Sequence, residues 1–109
     1  INYFPDYQAL FNTSNRIKND EFDFDIFISG LTNKKMITLC FSILGFQLHT
    51  MAQYLGVSEK AISSRLSSVK SELAKYFIDY DDFRFYCMRM DVYRKVRMVV
   101  LKVLNVKFM

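Results

Sequence analysis

The sequence predicts a mainly helical protein built around two helices joined by a tight turn. Three observations carry that expectation. The 109 residues include only three glycines and one proline, so the backbone is rarely punctuated. Apolar residues recur three and four positions apart over several segments, the spacing of a helix face. The stretch Met51-Ala52-Gln53-Tyr54-Leu55-Gly56-Val57-Ser58 reads as a short helix, a turn and the cap of a second helix. Gly56 can take the left-handed conformation such a turn needs. Ser58 is a preferred N-cap, and Ala52 is small where two helices must cross closely.

The length and the 51% apolar content allow one core, or one domain with appendages, and exclude a disordered tail. Three parts are expected: an N-terminal lead over 1–30, a helical domain containing the helix-turn-helix over 31–76, and a C-terminal helical extension over 77–109, a possible dimerisation element. Because residue 1 is isoleucine rather than methionine, the chain is expected to be part of a longer or processed protein.

Within the lead, Pro5 stands at the first turn of a short helix with Tyr7, Leu10 and Phe11 on its apolar face. Residues 20–28 alternate Phe22, Phe24, Ile26 and Ile28 with Asp23 and Asp25, which signals a strand, although a helix running into Gly30 is also open. The first firm helix starts at Leu31-Thr32 with Thr32 as cap. It carries Met36, Ile37, Leu39, Cys40, Ile43 and Leu44 on a broad core face and ends at Gly45. Residues 48–55 form the next helix, with Leu48, Met51 and Leu55 inward. From Ser58 to about Tyr76 runs a clean stripe of Ile62, Leu66, Val69 and Leu73, which leaves Lys60, Ala61, Ser63, Ser64, Arg65, Ser67, Ser68 and Lys70 facing away. In the tail, Val92, Val96, Val99, Val103 and Val106 alternate spacings of four and three, the seam of a helix meeting another helix. That seam points either to a homodimer or to packing on the chain's own domain; a valine-rich strand is a further option.

Charge is distributed unevenly. Residues 1–30 hold Arg16 and Lys18 against Asp6, Asp20, Glu21, Asp23 and Asp25, a net of −3, whereas residues 31–75 carry +4 and residues 76–109 carry +3. An acidic lead before a basic body suits a polyanion approached by the body alone. Cys40 and Cys87 lie far apart in apolar runs and fit buried thiols in a reducing cytoplasm. No apolar run approaches the roughly 18 residues of a membrane span, so no membrane partner is expected.

The residues from Leu31 to Leu73 resemble, without a gap, the DNA-binding domain of LuxR/FixJ-type bacterial regulators. Leu31-Thr32 matches the opening Leu-Thr, Lys34 a usual basic position, Gly45 the glycine after the first helix, and Met51-Ala52 the Ile-Ala pair. Leu55-Gly56-Val57-Ser58 matches Leu-Gly-Ile-Ser, Ala61-Ile62 matches Thr-Val, and Leu73 the closing leucine. Thr50 stands where the family usually has glutamate, Lys35 where it has an acid, and Arg65 where it has histidine. The run Ser58-Glu59-Lys60-Ala61-Ile62-Ser63-Ser64-Arg65-Leu66 also resembles region four of bacterial sigma factors. Either resemblance implies a helix-turn-helix bundle, here with an N-terminal lead and an extra C-terminal helix. The LuxR-type resemblance implies a dimeric regulator on operator DNA. The sigma-type resemblance implies promoter recognition by a protein bound to RNA polymerase. The opening Leu-Thr and the ungapped run favour the former.

The resemblance implies that the helix from Ser58 enters the major groove of double-stranded DNA with Ser63, Ser64 and Ser67 toward the bases. Ala61 and Ser68 lie on the same outward face. Arg65 is suited to a guanine edge or a phosphate, and Lys34, Lys35, Lys60 and Lys70 to phosphates, with Thr50 adding a neutral contact. Solvated surface is the plain alternative for the serines and for Lys34 and Lys35. A lone His49 beside a helix start suits a capping or surface role. Neither a metal site nor a nucleophile–base pair assembles from these residues, and Asp79, Asp81 and Asp82 lack the glycine and spacing of a calcium loop. No enzyme activity and no cofactor are expected. A third class is an adaptor that kept the shape, lost DNA binding and contacts RNA polymerase, as small phage or plasmid proteins do.

Overall fold

The structure is a computed structural model and describes residues 22–108, with side chains as far as residue 105. The helix expected around Pro5 and the side chain of Val106 lie outside the described residues. Those residues form six helices and no strand: α1 Phe24–Ser29, α2 Asn33–Ile43, α3 Leu48–Leu55, α4 Glu59–Leu73, α5 Tyr80–Tyr86 and α6 Met90–Phe108. The chain is mainly α.

Helix α1 decides the alternatives left open for residues 20–28. Asp23 caps it by accepting from the Ile26 amide at 3.1 Å. Phe24 is buried and Phe27 and Ile28 are half-buried, an i, i+3, i+4 set, while Ile26 of the alternating pattern is 71% exposed. Phe27, between the alternating residues, tips the periodicity from two to 3.6.

Helix α2 is the central element. Thr32 caps it, accepting from the Lys35 amide at 3.3 Å. Thr38, Leu39, Cys40, Phe41 and Ile43 are all at most 2% exposed, so more than half the circumference of α2 is covered. Helix α4 covers one side and α6 another. At the C-terminus Gly45 has φ +89°, its amide donates to the Ser42 carbonyl, and the Phe46 amide donates to the Phe41 carbonyl. The Phe41 and Phe46 rings meet at 4.9 Å, the hydrophobic contact that accompanies this glycine-terminated end.

Helix α3 buries Met51 and Ala52; Leu48, expected inward, is 36% exposed. Gly56 then takes φ 67°, ψ 33°, and the Val57 amide donates to the Ala52 carbonyl at 3.2 Å. Ser58 Oγ accepts from the Ala61 amide at 3.1 Å and opens α4. Because a side chain at positive φ strains the turn, Gly56→Val is expected to destabilise the fold by about 1–2 kcal/mol. A thermal melt reads this, and an unchanged midpoint would mean the turn tolerates a β-branched residue.

The expected boundary between 76 and 77 is not a boundary of packing. Phe77, Phe83, Cys87, Val92, Val96 and Val100 belong to the same buried cluster as Leu39, Ile43 and Ile62. Phe22 edges onto Phe77 at 4.9 Å and lies against Tyr86 at 5.3 Å, so the end of the lead also joins this core. Asp79 caps α5 by accepting from the Asp82 amide, and with Asp81 and Asp82 it sets negative charge at the positive end of the helix.

The valine seam is corrected by the same packing. Val92 and Val96 are 3% and 0% exposed against the chain's own core, and Val99 and Val103 are half-buried there. The third fully buried valine is Val100, so the inward stripe runs at spacings of four. Val92, Val96 and Val100 cover α2 and are not available to a second copy.

Candidate nucleic-acid interface

Ile62, Val69 and Leu73 anchor α4 on the core at 0–2% exposure, with Leu66 half-buried beside them. Helical geometry then fixes where the remaining residues point. Lys60, Ser63, Ser64, Ser67 and Lys70 are exposed, as is Ser71, which the expected set omitted although it stands one turn beyond Ser67. Ala61, Arg65 and Ser68 are half-buried on the flank toward α2.

That flank is occupied by side-chain bonds between the two helices. Lys35 Nζ donates to Ser68 Oγ at 2.8 Å, and Arg65 Nη1 donates to Thr38 Oγ1 at 3.4 Å. Thr38, fully buried, in turn donates to the Lys34 carbonyl at 2.7 Å. Arg65 therefore leans on α2 instead of projecting with the serines, and Lys35 and Ser68 bridge the same gap. Lys70 lies over the Tyr80 ring at 4.5 Å from its centroid. Of the expected cations, Lys34 and Lys60 stand clear of such contacts, both exposed. Thr50 is half-buried in the first turn of α3.

Truncating Arg65 should register in stability. Arg65→Ala removes its bond to Thr38 and the packing of its stem, an expected loss of about 1 kcal/mol. An unaltered melting temperature would place Arg65 with the freely projecting residues.

Glu59 adds an opposing charge at the start of α4, 3.4 Å from His49 Nδ1. With the two side chains 53% and 69% exposed, that contact contributes little to stability. The outward face of α4 is thus a strip of small hydroxyl side chains with Lys60 at its beginning and Lys70 farther along. Serines let the helix backbone approach a partner closely and both donate and accept hydrogen bonds.

Other chemistry is sparse. Cys40 and Cys87 are free and buried, and burial pushes both thiols up, Cys40 to about 12, so both stay protonated at neutral pH. Among the described residues no group of three His, Cys, Asp or Glu side chains is placed to hold a metal ion, and no helix is long and apolar enough to cross a membrane.

Comparison of the chain with protein-family models, with curated proteins and with solved structures returns no match.

Proposed function

We propose that the chain is a sequence-specific DNA-binding transcriptional regulator of bacterial, plasmid or phage origin, with α3 and α4 as a LuxR-type helix-turn-helix and α4 as its groove helix. The observation that carries this reading is the outward face of α4. Ser63, Ser64 and Ser67 are small, exposed and aligned along a helix that the left-handed Gly56 turn and the Ser58 cap hold at a fixed start. Such a helix can sink into a major groove until backbone and hydroxyls reach base edges. Lys60 and Lys34 serve as phosphate contacts.

Affinity measured against salt should be shallow for such a surface. Each neutralised phosphate contributes a slope of about −0.9, so two to four contacts give roughly −2 to −4. Selection of bound fragments from random duplex DNA with the purified chain is expected to return a motif. The exposed pair Ser63→Glu/Ser67→Glu, which sets like charge against phosphates, should abolish that binding with the helical circular dichroism intact. Failure to enrich any motif, or full binding by the double variant, would remove α4 as the reading helix.

The second reading is a sigma-factor-like or RNA-polymerase-binding protein on the same scaffold. It is favoured by how few cations stand free beside α4 among the described residues, since a surface this weakly charged suits a protein held to DNA by a larger partner. Co-purification with core RNA polymerase, together with DNA binding that appears only in that complex, separates the two. Val92, Val96 and Val100 face the chain's own core, so this reading does not route homodimerisation through them.

A further inference from the structure

Helix α6 has two faces of different character. Val92, Val96 and Val100 lie in the core. At 3.6 residues per turn the opposite stripe carries Met90, Arg94, Met98, Leu101 and Asn105, with Arg97 on one edge and Asp91 and Lys102 on the other, all exposed. Met90, Met98 and Leu101 are 73%, 54% and 48% exposed. Single exposed apolar residues are ordinary. Three on one stripe of one helix, interleaved with three cations, form a surface that the core does not require. This stripe is separate from the outward face of α4, because each helix packs independently on α2.

Charge decides between the partners such a stripe could meet. A second copy would set Arg94, Arg97 and Lys102 against their own counterparts. The acid at the beginning of the helix, Asp91, already faces Arg89 at 3.7 Å. Nucleic acid would satisfy the cations and leave the methionines and Leu101 against a charged backbone. The molecule itself shows the complement that fits. Asp25 of α1 places both carboxylate oxygens on Lys95 Nζ, at 2.6 and 2.9 Å, along one edge of α6. A carboxylate therefore already pairs with a cation on the neighbouring edge of α6.

We propose that the outward stripe of α6 is a docking surface for an acidic amphipathic protein helix. Its carboxylates meet Arg94, Arg97 and Lys102, and its apolar side chains pack among Met90, Met98 and Leu101. Methionine adapts its shape to a partner, and arginine and methionine are the residue types enriched at protein interfaces. Recognition would follow the helix-on-helix mode, with anchors at i, i+3, i+4 and i+7. The proposal does not depend on DNA binding by α4.

The test uses the full chain and a fluorescein-labelled helical peptide of about five turns carrying glutamates along one edge of a leucine stripe. Fluorescence anisotropy should show saturable binding. Arg94→Glu/Arg97→Glu and Met98→Ala/Leu101→Ala should each weaken it about tenfold or more, with circular dichroism unchanged. The milder Arg94→Gln/Arg97→Gln should weaken it less than the charge reversal does. Absence of binding by the wild-type chain at about 1 mM peptide, the weak end of specific affinities, overturns the proposal. So does peptide binding that ignores both double variants. The same holds if the variants change only capture by phosphatidylserine vesicles, or only self-association in the ultracentrifuge, since the stripe would then be a lipid or dimer surface.

Discussion

Phe83→Ala is expected to destabilise the whole protein by about 3–5 kcal/mol, the range for removing a fully buried phenylalanine. Phe83 is 0% exposed and stacks edge-on to Phe77 at 5.4 Å, with Phe22 at 6.1 Å. A domain of this size has only about 5–15 kcal/mol in total, so the variant should melt far earlier or fail to fold cooperatively. The outcome also separates two architectures. If residues 77–109 were an appendage, α2 to α4 would keep their transition when Phe83 is truncated. In the packing described here Phe83 and Ile62 belong to one cluster, so a single transition should shift as a whole. Two transitions, one of them unshifted, would restore the appendage.

Val96→Glu should be at least as damaging. A solvent-facing valine seam would turn this substitution into a folded monomer, because the new carboxylate would simply face water. Val96 is instead 0% exposed on the inner side of α6, inside the apolar cluster. An isolated buried carboxylate costs several kcal/mol and would enter protonated or not at all. The expected result is loss of the cooperative melt near neutral pH. Arg94→Glu, on the exposed side of the same helix, should melt close to wild type. A well-folded, monomeric Val96→Glu protein would return the valines to an intermolecular seam.

Local rules made much of the scaffold legible. Thr32 and Ser58 cap helices three residues ahead of the amides they accept from, and Gly45 and Gly56 take the positive φ their positions demand. These are short-range decisions, visible in any window of a few residues. The inward stripe of α4 was legible for the same reason, since Ile62, Val69 and Leu73 follow from periodicity alone.

Contacts between distant residues were not legible. The heptad of valines says that α6 meets a helix, and says nothing about which one. A usable signal did exist in α2, where Leu39, Cys40, Phe41 and Ile43 spread around too much of the helix for α4 alone to cover. The joining of Phe22 to Phe77, Phe83 and Tyr86 depends on ring contacts across more than half the chain and leaves no local mark. In the candidate interface, the direction of the serines followed from helix geometry, whereas the fate of Arg65 depended on Thr38, twenty-seven residues away. Lys70 likewise found Tyr80 after a turn that no pattern specified.

The most direct measurement is amide chemical-shift mapping of the isotopically labelled chain, titrated with duplex DNA carrying the motif returned by selection. The outward face of α4 predicts that the largest perturbations fall between Lys60 and Ser67, with a second group at the start of α2 around Lys34. The amides of α6 should stay near their free positions. Perturbations confined to α6, or none at DNA concentrations that saturate binding, would contradict α4 as the surface that reads DNA.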